Sequence, residues 1–234
     1  MENIFKATID GENFELRIMP TDYPESPRDW DINTSHLYCW SKRYFLGDAN
    51  PYDSLVKCLE DLVNKSSLST TQKKAQLKLL YSTDNQGHYS KAAHEQVMQY
   101  LGDHGGILVR YIYLYSHSDI CISLNDFNDR WDSGIVGLAV VFRNELPKPM
   151  QTEKDWYVNA TQVLDAEFDL YAKYIDGDVW SFSLVKIKEC PCCKQIVEEH
   201  IDSCGGFFGT DWLENGLFDQ MDKKYADAFI KEVK

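Results

Sequence analysis

The chain has no surplus of positive charge. Against 37 Asp and Glu stand 24 Lys and Arg, a formal net charge of −13. Nonspecific nucleic-acid binding replaces counterions with cationic side chains, so this balance argues against direct nucleic-acid contact. The chain also lacks any run of 18 apolar residues. Its most apolar stretches, 107–115 and 135–142, are strand-sized, and no membrane span is expected. The start, Met1-Glu2-Asn3-Ile4-Phe5-Lys6, has no basic segment leading into a long apolar core. No secretory signal is therefore expected, and the expected compartment is the cytoplasm. The seven cysteines are an odd set, and in a reducing cytosol they are thiols or metal ligands rather than bridges. There is no internal repeat and no low-complexity tract.

What is present describes a folded protein. Hydrophobic residues make up 44% and aromatics 13%, more than disordered chains carry. A chain of this length buries roughly 70% of its unfolded surface and needs no staples. We expect one α+β domain over 1–234 with a helical insertion at about 53–101.

Residues 3–19 read as a hairpin, with alternating Phe14, Leu16 and Ile18 after the turn Asp10-Gly11-Glu12-Asn13. Pro20, Pro24 and Pro27 then break regular structure, and the aromatic segment 36–44 reads as a short strand. From Asp53 or Ser54 the spacing becomes helical, with Leu55, Cys58, Leu59 and Leu62 on one stripe. Further helices are expected from Ser69 or Thr70 and over 90–101, the last ended by a glycine-rich loop at 102–106. Strands are expected at 107–115, 120–124 and 135–142, then a long helix over 152–174. The strand at 179–188 changes phase: Trp180, Phe182 and Leu184 alternate with serines, then Val185 and Ile187 with lysines. A bulge near Leu184–Val185 reconciles the two halves. Residues 195–208 form the return strand and 225–233 a terminal helix. The fold class is α+β, a mainly antiparallel sheet with helices packed on it.

Two constellations carry chemistry. Cys190, Cys193, His200 and Cys204 supply four ligands within 15 residues in the pattern C-x2-C-x6-H-x3-C. Zinc takes four such ligands in a tetrahedron, so zinc is the candidate cofactor, with Cys192 able to replace either of the first pair. The alternative is a plain hairpin with thiols at its tip. On a strand, positions 200 and 204 share a face but lie about 13 Å apart, which one ion cannot bridge unless the strand bends.

The second constellation is a pair of neighbouring loops, Tyr115–Asp119 and Asn125–Gly134. They bring His117, Asp119, Asp126, Asp129, Trp131 and Asp132 forward as candidate binding residues. An active reading gives a hard cation to Asp126, Asp129 and Asp132, with His117 as a base. A calcium loop needs glycine where Trp131 stands, and Ser116, His117 and Asp119 on one strand cannot form a relay. The bland reading is turn chemistry by Asp and Asn. No residue is assigned as catalytic.

Tyr113-Leu114-Tyr115-Ser116-His117-Ser118-Asp119-Ile120 and Trp131-Asp132-Ser133-Gly134-Ile135-Val136-Gly137 resemble the "YLYDHSGI … WDSGQVG" core of a protein family common in bacteriophages, plasmids and other mobile elements. Pro27-Arg28-Asp29-Trp30-Asp31 resembles that family's "NPREWDN", and Arg43-Tyr44-Phe45-Leu46-Gly47-Asp48 its "RYNLGD". The stretch 174–180 resembles "YLTGDVYGF", and 201–209 resembles "IDSCWGFYG". Ser116 replaces Asp, Asp119 replaces Gly and Gly205 replaces Trp. The resemblance implies a mobile-element origin and no established activity.

Charge and origin together suggest a non-catalytic acidic accessory protein in the host cytosol. Its expected partner is a host or defence protein with a basic surface, because complementary fields speed the encounter of two such surfaces and orient them. The alternatives are a metal-dependent enzyme using the His117 and Asp132 loops, and a structural zinc-bearing module. Trp131, in a loop beside Asp132, is the expected binding anchor.

Overall fold

A computed structural model describes residues 2–83, 90–152 and 154–233. In chain order the strands are β1 (Asn3–Ile9), β2 (Glu12–Pro20), β3 (His36–Cys39), β4 (Ile107–Ser116), β5 (Ile120–Ser123), β6 (Ser133–Phe142), β7 (Val179–Glu189) and β8 (Ile196–Phe208). The helices are α1 (Leu55–Lys65), α2 (Thr70–Leu80), α3 (Lys91–Tyr100), α4 (Trp156–Ile175) and α5 (Lys223–Val233). The class is α+β, as expected, but the strands divide between two four-stranded antiparallel sheets. The chain forms two compact units, 1–27 with 173–234, and 28–172. Each unit holds one sheet.

The first unit has the strand order β1-β2-β7-β8. Ile9 pairs with Glu12, so Asp10 and Gly11 form a two-residue turn with φ of 54° and 80°. Such a turn has the twist that antiparallel strands require. Phe14, Leu16 and Ile18 from β2 join Phe182, Leu184 and Phe207, and α5 covers them with Tyr225, Ala226 and Phe229. The expected bulge is present: register between β7 and β8 shifts between Leu184 and Val185. Leu184 faces Asp202 while Val185 faces His200, so Ile201 is the extra residue. A second shift between Trp180 and Ser181 leaves Gly206 unpaired at φ +87°. Both added residues lie on β8.

The second unit has the order β3-β6-β4-β5, which puts β4 and β6 at the centre. Six consecutive residues of β6, Val136–Val141, are buried, the pattern of a strand covered on both faces. Helices α1 to α3 stand between β3 and β4 in sequence. They pack Cys58, Leu59, Leu62, Val97 and Leu101 against Val109, Tyr111, Leu138 and Val140. Their starts are capped by Ser54, Ser69 and Ser90, and Ser69 forms a reciprocal capping box with Gln72. Beyond α3 the chain does not open into a loop. Leu101–Gly105 makes one π turn, closed where Gly106 N, at φ 70°, donates to Leu101 O. Arg110, on β4, reaches Asp165 of α4 at 2.7 Å, and α4 buries Trp156, Ala160, Leu164, Phe168 and Tyr171.

Two glycines permit close approach. A Cβ on Gly137 would lie 2.6 Å from Tyr38 O, and one on Gly47 (φ +72°) 2.2 Å from Leu37 O. Only hydrogen fits at either place.

Candidate functional site

In the second unit hydrogen bonds tie the segments around Arg28, Asp48, Ser116 and Asp132 to one another. Arg28 is the centre, its side chain only 4% exposed. Its Nε and Nη2 donate to the two carboxylate oxygens of Asp48 at 2.8 and 2.9 Å, and Nη2 also donates to Ser35 O at 2.6 Å. Glu167 of α4 lies 3.5 Å from Arg28 and accepts from the backbone N–H groups of Thr34 and Ser35 at 2.8 and 2.9 Å. Asp48 also accepts from Leu37 N at 2.8 Å. Burial opposes the guanidinium's charge, but the hydrogen bonds and charges of Asp48 and Glu167 outweigh it and hold Arg28 above its usual value. Close by, Tyr171 Oη accepts from Gly47 N at 2.6 Å, and burial pushes that phenol up to about 12. This fork of hydrogen bonds fixes the segment that leads into Tyr44 and Phe45. Arg28 and Asp48 lie in two of the quoted segments, but nothing in their spacing revealed that they meet or that Glu167 joins them.

From that support the loops project. Tyr44 Oη and Ser116 Oγ lie 3.0 Å apart, which ties the Phe45 loop to the β4–β5 turn. Ser116 N donates to Asp132 O at 2.9 Å, which ties that turn to the loop before β6. His117 Nδ1 stands 3.3 Å from the Asp132 carboxylate, with the histidine side chain 70% exposed. Asp119 accepts from His117 N through its backbone carbonyl.

The remaining carboxylates shape the loop. Asp129 Oδ1 accepts from Asp132 N and Trp131 N, each at 2.8 Å. Those two N–H groups hold the Asp129 carboxyl below its usual value. Asp126 Oδ1 accepts from Asn128 N at 2.9 Å, where Asn128 has φ 55°. Ser133 Oγ donates to Asp129 O. Turn chemistry thus employs Asp126 and Asp129. Of the candidate residues in these two loops, His117 and Asp132 meet as a histidine–carboxylate pair. The result is a braced loop with Trp131 at its crest, 90% exposed, and Phe45 fully exposed on the adjoining loop.

The cysteine constellation lies in the first unit, at the turn between β7 and β8. Cys190, Cys192 and Cys193 present sulfur atoms all within 4.8 Å of one another, a group that could hold a metal ion. Among the described residues it is the one cluster of three or more His, Cys, Asp or Glu with that closeness. Cys190 Sγ is 3.0 Å from Cys192 Sγ. A hydrogen bond from the Cys192 thiol, helped by the N–H groups of Cys193 and Cys192, lowers the Cys190 thiol to about 6. The expected set of Cys190, Cys193, His200 and Cys204 is corrected here. Cys192 belongs to the group, and His200 and Cys204 do not join it. Ile196 is the strand partner of Glu189 next to the turn. His200 lies four residues further along β8, roughly 13 Å away, and Cys204 roughly 26 Å away at the strand rise. The bulge at Ile201 alters facing without folding the strand back.

Among the described residues no helix is long and apolar enough to cross a membrane. No protein-family model matches the chain, and no curated protein or solved structure is significantly similar to it.

Proposed function

We propose that this chain is a non-catalytic acidic accessory protein of a mobile element. In this reading it acts in the host cytosol and docks on a basic surface of a host or defence protein, one that otherwise holds nucleic acid. The observation that carries the reading is Trp131, an indole exposed on a loop whose backbone is braced by Asp126, Asp129, Asp132 and Ser133. A large apolar side chain left in water on a rigid loop has the character of an interface anchor, since little conformational freedom remains to be lost on binding. Phe45 widens the apolar centre, and Asp119, Asp126, Asp129 and Asp132 supply a negative surround with Arg130 as the opposing charge. Such a surround favours a cationic partner and speeds encounter.

The test is affinity capture from host lysate with wild type and Trp131→Ala, repeated across a salt series. One basic partner should be retained by wild type, weakened at high salt and lost with Trp131→Ala. Because the indole is exposed, that variant should keep its stability within about 0.5 kcal/mol. Capture indifferent to both salt and Trp131→Ala would overturn the reading.

The thiol cluster supports a second component, that the chain also carries zinc. Three closely placed sulfurs, one of them already inclined to the thiolate, suit this borderline-soft ion. Its role would be structural. Zinc analysis of reduced, purified protein tests it, and absence of bound zinc would remove it.

A further inference from the structure

The turn at 190–195 is a fixed knuckle at the end of a long hairpin. Cys190 N donates to Gln195 O at 2.8 Å and Lys194 N donates to Cys190 O at 2.9 Å, with Lys194 at φ 62°. Pairing of β2 with β7 reaches only Ile187, so the knuckle stands beyond the end of β2. Zinc bound by thiolates at about 2.3 Å places sulfurs about 3.8 Å apart in a tetrahedron. The three sulfurs here, within 4.8 Å of one another, are close to that arrangement. Among the described residues no other His, Cys, Asp or Glu joins these sulfurs. His200 and Cys204 are too far along β8, Glu189 is paired with Lys194, and Glu199 is paired with Lys188.

We infer that a second copy of this chain completes the site: two knuckles meet tip to tip about a two-fold axis, and Cys190 and Cys193 of each copy hold one zinc ion between them. The inference rests on the zinc reading above and adds the partner. Cys190 and Cys193 are chosen because the C-x2-C spacing lets one turn direct two thiolates at one ion, while Cys192 is left over. A two-fold contact presents the same patch from both sides, so two pairs make the four ligands with no further element. Beside the knuckle, Ile196 is 69% and Val197 51% exposed, and a second hairpin would cover them. Four thiols lose four protons to solvent as one Zn²⁺ binds. The site then carries a double negative charge. Contact at the tips alone also limits the approach of two chains of like net charge.

The experiment uses the full chain, reduced and metal-free, titrated with zinc chloride. Molar mass is followed by light scattering and bound zinc by elemental analysis. We expect a change from monomer to dimer that saturates at one zinc per two chains and is reversed by a chelator. Cys190→Ser and Cys193→Ser should abolish both zinc uptake and dimerisation, and Cys192→Ser should retain both. One zinc per chain at monomer mass would overturn the second-copy inference while leaving zinc binding standing. No zinc uptake would overturn both. A dimer that persists in Cys193→Ser but is lost in Cys192→Ser would overturn the ligand assignment.

Discussion

Replacing Arg28 by methionine tests the account of how the motif loops are held. The guanidinium is almost fully enclosed and makes short bonds to both oxygens of Asp48 and to Ser35 O. Methionine keeps most of the volume and removes the charge and the donors. Asp48 and Glu167, 22% and 17% exposed, would then face each other without a cation. Removing one partner of a buried ion pair costs about 3–5 kcal/mol, because the remaining charge stays desolvated. The partial solvent access of both carboxylates places Arg28→Met near the lower figure, about 3 kcal/mol. Hydrogen exchange of peptides covering 34–48 reads the effect where it arises, since Leu37 N and Asp48 N both bond within this network. A loss of about 3 kcal/mol corresponds to roughly a hundredfold faster exchange. Arg28→Met with Asp48→Asn should cost less than the sum of the single changes, because the second removes the stranded charge. A change below about 1 kcal/mol with unaltered exchange would refute the reasoning, since it would mean the network is not a support.

Gly137→Ala should lower thermal stability by about 1–3 kcal/mol, because its Cβ meets Tyr38 O and the strands must separate; a thermal melt checks it. Alkylation of Cys190 should rise with pH and reach half its maximum near 6, since the thiolate is the reactive species. Mass spectrometry of the modified peptide follows this, and Cys192→Ala should move the midpoint upward by removing its leading hydrogen bond. His94 is buried, and burial lowers its pKa below the ordinary 6.5. The unfolded chain therefore takes up the proton first, so this contribution is full above about pH 6.5 and declines as pH falls below it. The urea midpoint should show that decline, and His94→Gln should flatten it.

Several local features were legible because they depend on near neighbours in the chain. The turn after β1, the starts of α1 and α2 at Ser54 and Ser69 and the helical stripe of α1 are settled by residues within one or two turns. The phase change in β7 likewise disclosed the bulge, since one residue of slip exchanges the two faces. The division into two sheets was not legible. Strands at the two ends of the chain pair with one another, and alternation marks a strand without naming its neighbour. The π turn after α3 escaped for a related reason: glycine announces where a helix ends but not which ring closes it.

For the candidate sites, sequence alone determined the chemical inventory: an acidic balance, a tryptophan among aspartates, and thiols at C-x2-C spacing. Tertiary structure decided which of these meet. It set Asp126 and Asp129 on backbone N–H groups of their own loop and left Trp131 in water. It brought Arg28, Asp48 and Glu167 together across more than a hundred residues. It also carried His200 and Cys204 away from the cysteine turn along an extended strand. The physical reason is that a side chain's type is fixed by its codon, whereas its distance from another depends on the path of the backbone between them. That path is set by burial and hydrogen bonding throughout the unit.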